Sequence, residues 1–385
     1  MFCSVKQDLD LNDSIVSVML ELVRAAVLEK RPFIPQNITI DWDRLMEISA
    51  EQGLVAWVWN GVEKLPEEQK PPRLQKINWS LSAQAIQERY EYQVTVLKEM
   101  LDVCKRNNIR LMVIKGIGLS SLYPDPSCRP SGDIDIFLFD SYNKGNELFA
   151  KDKIHETGKH AKLEYKGVNI ENHQNFLNVK WPVRREVENY IKSNLSKSVL
   201  TQEGYYILEP ESNLLYLIMH AIRHLNYVET GLTLRSIIDI PIFLNHYRDL
   251  LTPDRCYELM NKFKIAHCFE LMVYLGEWAL GINLAHYHRG YVPISDQEAA
   301  YNMFIKCNYI RFIPTEIPYF RYLKLSLIQF RQCQWKYHYE HVSTFSRVYL
   351  FVRKQLHVFV KYCLGVERSK ALKNVFEKKS NDGNK

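Results

Sequence analysis

The 385-residue chain has no uninterrupted apolar stretch of about 18 residues, so no membrane-spanning helix is predicted. Its opening segment, Met1 to Asp13, carries no basic cluster running into an apolar one, and no secretory leader is expected there. The eight cysteines (Cys3, Cys104, Cys128, Cys256, Cys268, Cys307, Cys333, Cys363) form no Cys-x-x-Cys pair. That scatter argues against a zinc knuckle or a disulfide framework and fits reduced thiols in a cytoplasmic protein. No segment recurs at a fixed period, which removes solenoid architectures. What remains is ordinary for a soluble globular chain: 46% apolar and 24% charged residues. At this length two or three packed units are expected.

The net charge of +6 conceals an asymmetry. Residues 301–385 hold 16 Lys/Arg against 5 Asp/Glu, whereas the first 300 hold 34 basic and 39 acidic groups. Affinity for phosphate-rich partners or anionic lipid is therefore expected in the C-terminal part. The stretch 301–365 also interleaves 16 aromatic residues with Lys and Arg. A packed helical subdomain with a solvated basic face is the preferred reading of it. Peripheral contact with an anionic membrane surface is the second. RNA binding by stacking and phosphate contacts is the third, unsupported by any RNA-recognition motif and not favoured.

Helical spacing of apolar residues predicts helices over Asp13–Lys30, behind the capping candidates Asn12-Asp13-Ser14, and over Trp42–Gln52, Val55–Val62 and Leu74–Arg106. The pattern then changes. Ile109–Ile114 is a short apolar run rich in β-branched residues and reads as a buried strand ending at Lys115-Gly116. Ile117–Tyr123 suits a short helix, 124–132 is a loop dense in turn formers, and Asp133–Phe139 suits a second strand. A hairpin is expected with Ala161–Tyr165 and Val168–His173 flanking Lys166-Gly167. Helical patterns resume over Ser212–Leu225, Leu234–Tyr247, Asp254–Lys262 and Phe269–Leu280. The expected organisation is an α/β (α+β) protein with a small mixed sheet. It divides into a helical region 1–107, a core 108–200, a helical region 201–300 packing on the core, and a basic, aromatic-rich C-terminal region 301–385 with a frayed tail.

Two carboxylates at i and i+2 on a strand project from the same face, so Asp133 and Asp135 stand together while Ile134 and Ile136 enter the core. Such a pair repels itself unless a positive charge lies nearby, and a divalent ion shared with substrate phosphates is the common solution. The loop ending in Ser131-Gly132 offers backbone N–H groups and room for a triphosphate. Gly116 lets the chain approach closely at a helix start, and Lys115 and Arg129 can neutralise phosphate.

With those residues in place a resemblance is apparent. Lys115-Gly-Ile-Gly-Leu-Ser-Ser-Leu-Tyr-Pro-Asp-Pro126, followed by Arg129-Pro-Ser-Gly-Asp-Ile-Asp-Ile136, resembles the signature of the uncharacterised nucleotidyltransferase family. That family belongs to the DNA polymerase β-like nucleotidyltransferase superfamily. Val168-Asn-Ile-Glu-Asn-His173 is similar to the family's Glu-x-His strand. His220-Ala-Ile-Arg-His224 and Gly231-Leu-Thr-Leu-Arg-Ser-Ile-Ile-Asp239 resemble its following helical part. The resemblance implies a nucleotidyltransferase core using Mg²⁺ or Mn²⁺ on Asp133, Asp135 and Glu171. It further implies a nucleoside triphosphate held near Lys115, Gly116, Arg129, Ser131 and Gly132. Glu164, on the other hairpin arm, is the alternative third carboxylate. The family's association with surface-polysaccharide gene clusters points to an acceptor of that class, itself unidentified. Unlike the wider superfamily, the loop after the first strand has no immediate hydroxyl; Ser120 and Ser121 lie one turn on.

Other residues stay open between roles. His220 and His224, one helical turn apart, can bind metal, contact substrate or be structural, and His173 is equally ambiguous. Arg235 and Asp239, at i and i+4, are expected to form a helix-face ion pair, with acceptor contact the minor alternative. Two further functions compete with small-molecule transfer: a toxin-type nucleotidyltransferase acting on tRNA or protein, and a non-catalytic nucleotide-binding scaffold at the inner face of the membrane.

Overall fold

The computed structural model describes residues 11–150, 155–156, 159–177, 182–225, 232–289, 292, single positions between 320 and 330, and 343–363. The chain divides into two compact units, one of Met1–Ile222 with Thr233–Tyr291 and one of Arg223–Leu232 with Val292–Lys385. No helix among the described residues is long and apolar enough to cross a membrane.

The first unit begins with four helices, α1 (Leu11–Val27), α2 (Trp42–Gln52), α3 (Val55–Glu63) and α4 (Arg73–Arg106). Their ends follow local chemistry. Asp41 caps α2 by accepting from the Arg44 amide at 3.0 Å, and Gly53 closes it in the left-handed conformation at φ 68°. Pro72 fixes the start of α4. At Gly61 an added Cβ would stand 2.2 Å from the Leu22 carbonyl oxygen, so the glycine lets α3 press directly on the backbone of α1.

Among the described residues seven strands form one mixed sheet in the order β3-β4-β5-β2-β1-β7-β6. They are β1 (Met112–Val113), β2 (Ile134–Phe137), β3 (His155–Glu156), β4 (His160–Tyr165), β5 (Val168–His173), β6 (Val199–Leu200) and β7 (Tyr206–Ile207). β2 runs antiparallel to β1 and parallel to β5, with Asp135 opposite Glu171. β4 and β5 form the expected hairpin, turning through Lys166 at φ 50° and Gly167 at φ 73°. Positive φ at both central residues matches the strands' right-handed twist and fixes the register. Short helices α5 (Ile117–Ser120), α6 (Tyr142–Phe149) and α7 (Pro182–Ser193) connect the strands.

The sheet has one dry face. Val113, Ile134, Ile136, Ala161, Leu163 and Ile170 pack against the stripe Val96, Leu97, Met100, Leu101 and Cys104 of α4 in one buried cluster. That spacing is one helix face, so α4 serves as the floor of the sheet. The expected strand Ile109–Ile114 contracts to Met112–Val113, although Ile109, Leu111 and Ile114 are also buried.

Four helices complete this part of the fold: α8 (Pro210–Leu225), α9 (Leu234–His246), α10 (Pro253–Lys262) and α11 (Ala266–Leu280). Pro241 lies inside α9, and Gly276 of α11 makes room for it; an added Cβ would sit 2.7 Å from the proline ring. Arg24 of α1 donates to the carbonyls of Ala279 (3.0 Å) and Trp278 (2.5 Å) at the end of α11. The segments 1–107, 108–200 and 201–300, expected as separate regions, thus contribute to one unit down to Tyr291, except for Arg223–Leu232.

In the second unit the longest described element is α12 (Thr344–Cys363). It carries no acidic residue and exposes Phe345, Val348, Tyr349, Val352 and Leu356. Most of 301–365, and with it the choice among membrane contact, RNA binding and simple packing, lies outside the described residues, as does the tail after Cys363.

Candidate active site

The site grows from the alternation of β2. Ile134 and Ile136 are buried toward α4, so Asp133 and Asp135 emerge on the opposite face. Parallel pairing sets Glu171 of β5 directly across from Asp135. Oxygen atoms of Asp133, Asp135 and Glu171 all lie within 4.8 Å of one another. Glu164, the other hairpin carboxylate, is exposed opposite Asn169 and takes no part in this cluster.

Crowding three carboxylates has electrostatic consequences. Burial raises the Asp133 carboxyl above its ordinary value, and the neighbouring Asp135 raises it further. Burial would raise Asp135 too. The Lys115 ammonium at 2.9 Å and the His173 imidazole at 2.8 Å override it and hold Asp135 far below the usual carboxylate range. Glu171 likewise resists burial through its contact with His173, which brings it down to about 2. Lys115 answers in kind: burial would lower its ammonium, but Asp135 lifts it above the ordinary lysine value.

The loop between β1 and β2 is held by groups distant in sequence. Arg129 is buried and bidentate on Asp239 of α9, at 2.8 and 2.7 Å, and it also donates to the Gly116 carbonyl at 3.0 Å. Tyr123 donates to the same carboxylate at 2.7 Å. Asp239 therefore pairs with Arg129 rather than with Arg235, contrary to the ion pair expected from their i, i+4 spacing. Arg235 instead donates to the Pro130 carbonyl at 3.0 Å. A helix-face pair would leave the loop untethered; the observed contacts spend both arginines on it. From α4, Arg89 donates to the Gly132 carbonyl at 2.7 Å and Gln93 to that of Ser131 at 3.3 Å. The Ser131 hydroxyl donates to the Asp133 carbonyl at 2.7 Å.

Gly116, at φ 45°, would place an added Cβ 2.9 Å from the Ser131 oxygen, so its close approach is to the neighbouring loop. The helix after it, α5, has four residues and only a weak dipole, which diminishes the phosphate affinity expected of a helix start.

Around these residues lies a cleft of about 540 Å³ that opens to solvent, lined by Lys115, Gly116, Arg129, Ser131, Gly132, Asp133 and Asp135 on one side. Leu217, His220 and Ala221 of α8, with Arg235, Ser236 and Asp239 of α9, line the other. His173 is buried beneath the carboxylates, and its other ring nitrogen lies 3.2 Å from the Asn175 carbonyl. His224, in the last turn of α8, belongs to the second unit. The fold thus gathers Lys115 through Asp135, Glu171, His173, His220 and Arg235, and leaves His224 out of this unit.

Two participants escaped the sequence reading. His160 pairs across the hairpin with His173, with ring centroids 5.1 Å apart. The hairpin turn would have revealed it had the first arm been extended by one residue. Nothing local in the sequence links Tyr123 to Asp239.

The family profile of the uncharacterised nucleotidyltransferases matches residues 39–281, from the start of α2 region through α11 and including every cleft residue named above. No curated protein and no solved structure matches the chain. With well over half of its length matched, and with the signature loop, the paired aspartates and the mixed sheet in place, the chain belongs to this nucleotidyltransferase family.

Proposed function

We propose that the protein is a metal-dependent nucleotidyltransferase that moves a nucleoside monophosphate from a nucleoside triphosphate to a hydroxyl or phosphate acceptor. The observation that carries this reading is the triad Asp133, Asp135 and Glu171, converging within 4.8 Å beside a cleft that Lys115 and Arg235 also line. Three oxygen donors from β5, β2 and the residue before β2 suit a hard divalent ion, and the Asp133 carboxyl, raised by burial and then by Asp135, marks a charge that such an ion would offset. Mg²⁺ or Mn²⁺ held by the three carboxylates would neutralise the triphosphate and the departing pyrophosphate.

The chain's own groups supply the rest. Lys115, now on Asp135, is within reach of a triphosphate entering the cleft, and Arg235 adds positive charge at the opposite wall. Arg129 acts as a positioning residue, because Asp239 and Gly116 already take its donors. Ser131 and Gly132 shape the loop over which the phosphates lie. The acceptor oxygen attacks the α-phosphorus as the bond to the bridging oxygen breaks and pyrophosphate departs. Asp133 and Asp135 serve as ligands, and Glu171 would complete the metal set or take the proton of a hydroxyl acceptor. Polysaccharide-related small molecules are the proposed acceptor class, on the strength of the family resemblance.

The test is incubation of purified protein with each α-labelled nucleoside triphosphate and Mg²⁺ in cell extract. A labelled product is expected with the wild type and absent with Asp133→Ala or Asp135→Ala at unchanged circular dichroism. Turnover retained in the folded double variant would overturn the assignment.

A further inference from the structure

Beside the all-oxygen triad the hairpin builds a second ligand set. His160 of β4 and Glu171 and His173 of β5 share one face of the sheet, because the turn pairs His160 with His173 and Lys162 with Glu171. Both histidines are buried, and one ligand atom from each of the three residues lies within 4.8 Å of the others. His160 Nε2 stands 3.4 Å from Glu171 Oε1, and His173 Nε2 stands 3.7 Å from Glu171 Oε2. Ligands at about 2.0–2.2 Å around a tetrahedral ion stand about 3.3–3.6 Å apart, and each imidazole already lies near that distance from one of the two Glu171 oxygens.

The wiring of His173 adds an independent indication. Its Nδ1 lies 3.2 Å from the Asn175 carbonyl oxygen, which can only accept. With Nδ1 donating there, the neutral ring would turn its Nε2 lone pair toward the carboxylates, the arrangement by which a backbone carbonyl orients a metal-binding histidine. Nε2 lies 2.8 Å from Asp135 Oδ1, so a protonated ring donates to both acceptors, and a bound cation would take the place of the Nε2 proton.

We infer that His160, Glu171 and His173 form a second cation site, selective for a borderline divalent transition ion of the Zn²⁺ or Co²⁺ type. Two imidazoles and one carboxylate favour such ions, whereas Mg²⁺ prefers oxygen and sheds water reluctantly. Three protein ligands leave a coordination position open, and Glu171 joins this site to the triad. The inference shares Glu171 with the proposed transfer site but does not depend on transfer taking place.

Full-length protein stripped with a chelator and returned to millimolar Mg²⁺ is titrated with Zn²⁺ by calorimetry and with Co²⁺ by visible absorption. Wild type should bind one equivalent of each, with Co²⁺ giving the intense bands of a nitrogen-ligated, low-coordinate ion. Asp133→Asn should retain that signal, while His160→Gln and, separately, Glu171→Gln should weaken binding at least tenfold. Wild-type affinity in folded His160→Gln would overturn the inference. So would a loss in Asp133→Asn equal to that in His160→Gln, since the ion would then belong to the oxygen triad. If His160→Gln loses its native circular dichroism, Glu171→Gln decides: unchanged binding there overturns the site. Transfer is not the readout, so an inactive wild type leaves the result interpretable.

Discussion

Gly132 and Gly116 border the same loop, yet they are glycines for different reasons. An added Cβ at Gly132 meets nothing within 4 Å, while at Gly116 it would meet the Ser131 oxygen at 2.9 Å on a backbone at φ 45°. Gly116→Ala should therefore cost about 1–3 kcal/mol in urea unfolding, the usual penalty for a side chain in a backbone region that glycine alone adopts readily. Gly132→Ala should leave stability within about 0.5 kcal/mol. If the loop cradles phosphate, it should also reduce labelled transfer at least tenfold, and undiminished transfer would remove Gly132 from the binding surface. Residues at this scale were legible where their chemistry is local. Asp133, Asp135 and Lys115 announce themselves by spacing and by the turn between them. Asp239 did not, because its partners Tyr123 and Arg129 lie 116 and 110 positions away.

Between elements, the decisive contact is the buried pair of Arg129 with Asp239, which ties the loop before β2 to α9. Burial would depress the Arg129 guanidinium, and Asp239 more than compensates by raising it. Removing one partner strands the other away from water, so Asp239→Asn should destabilise the protein by about 3–5 kcal/mol. Chemical denaturation measures this; a loss below about 1 kcal/mol would show that solvent reaches the pair. Gly61→Ala should be similarly conspicuous, at about 1–3 kcal/mol, because the Leu22 backbone occupies the space for its Cβ. The helices were legible because a stripe such as Val96, Leu97, Met100, Leu101 and Cys104 repeats at 3.6 residues. β3, β6 and β7 were not, since two residues carry no period. α6, eight residues with Gly145 inside it, was also missed, and so was α7, whose twelve residues are mostly polar.

Across the whole molecule, distant stretches of sequence share one interior. Met19, Leu22 and Val23 of α1 are fully buried, and Arg24 closes the end of α11. α1 precedes the family match, which begins at residue 39, yet it belongs to the same core. Deleting residues 1–64 should thus expose apolar surface on α11 and abolish cooperative unfolding by circular dichroism. A monomeric, cooperatively folding 65–385 fragment would refute that dependence. The same architecture has a consequence for the protein's birth. Asp133, Asp135 and Glu171 are synthesised early, but the wall that completes the cleft and the carboxylate that anchors its loop come with α8 and α9. At about 5–20 residues per second, the ribosome takes roughly 3–14 s to travel from Glu171 to Asp239. During that interval the nascent chain carries the acidic triad without its clamp, and the cleft is completed only as the later helices dock.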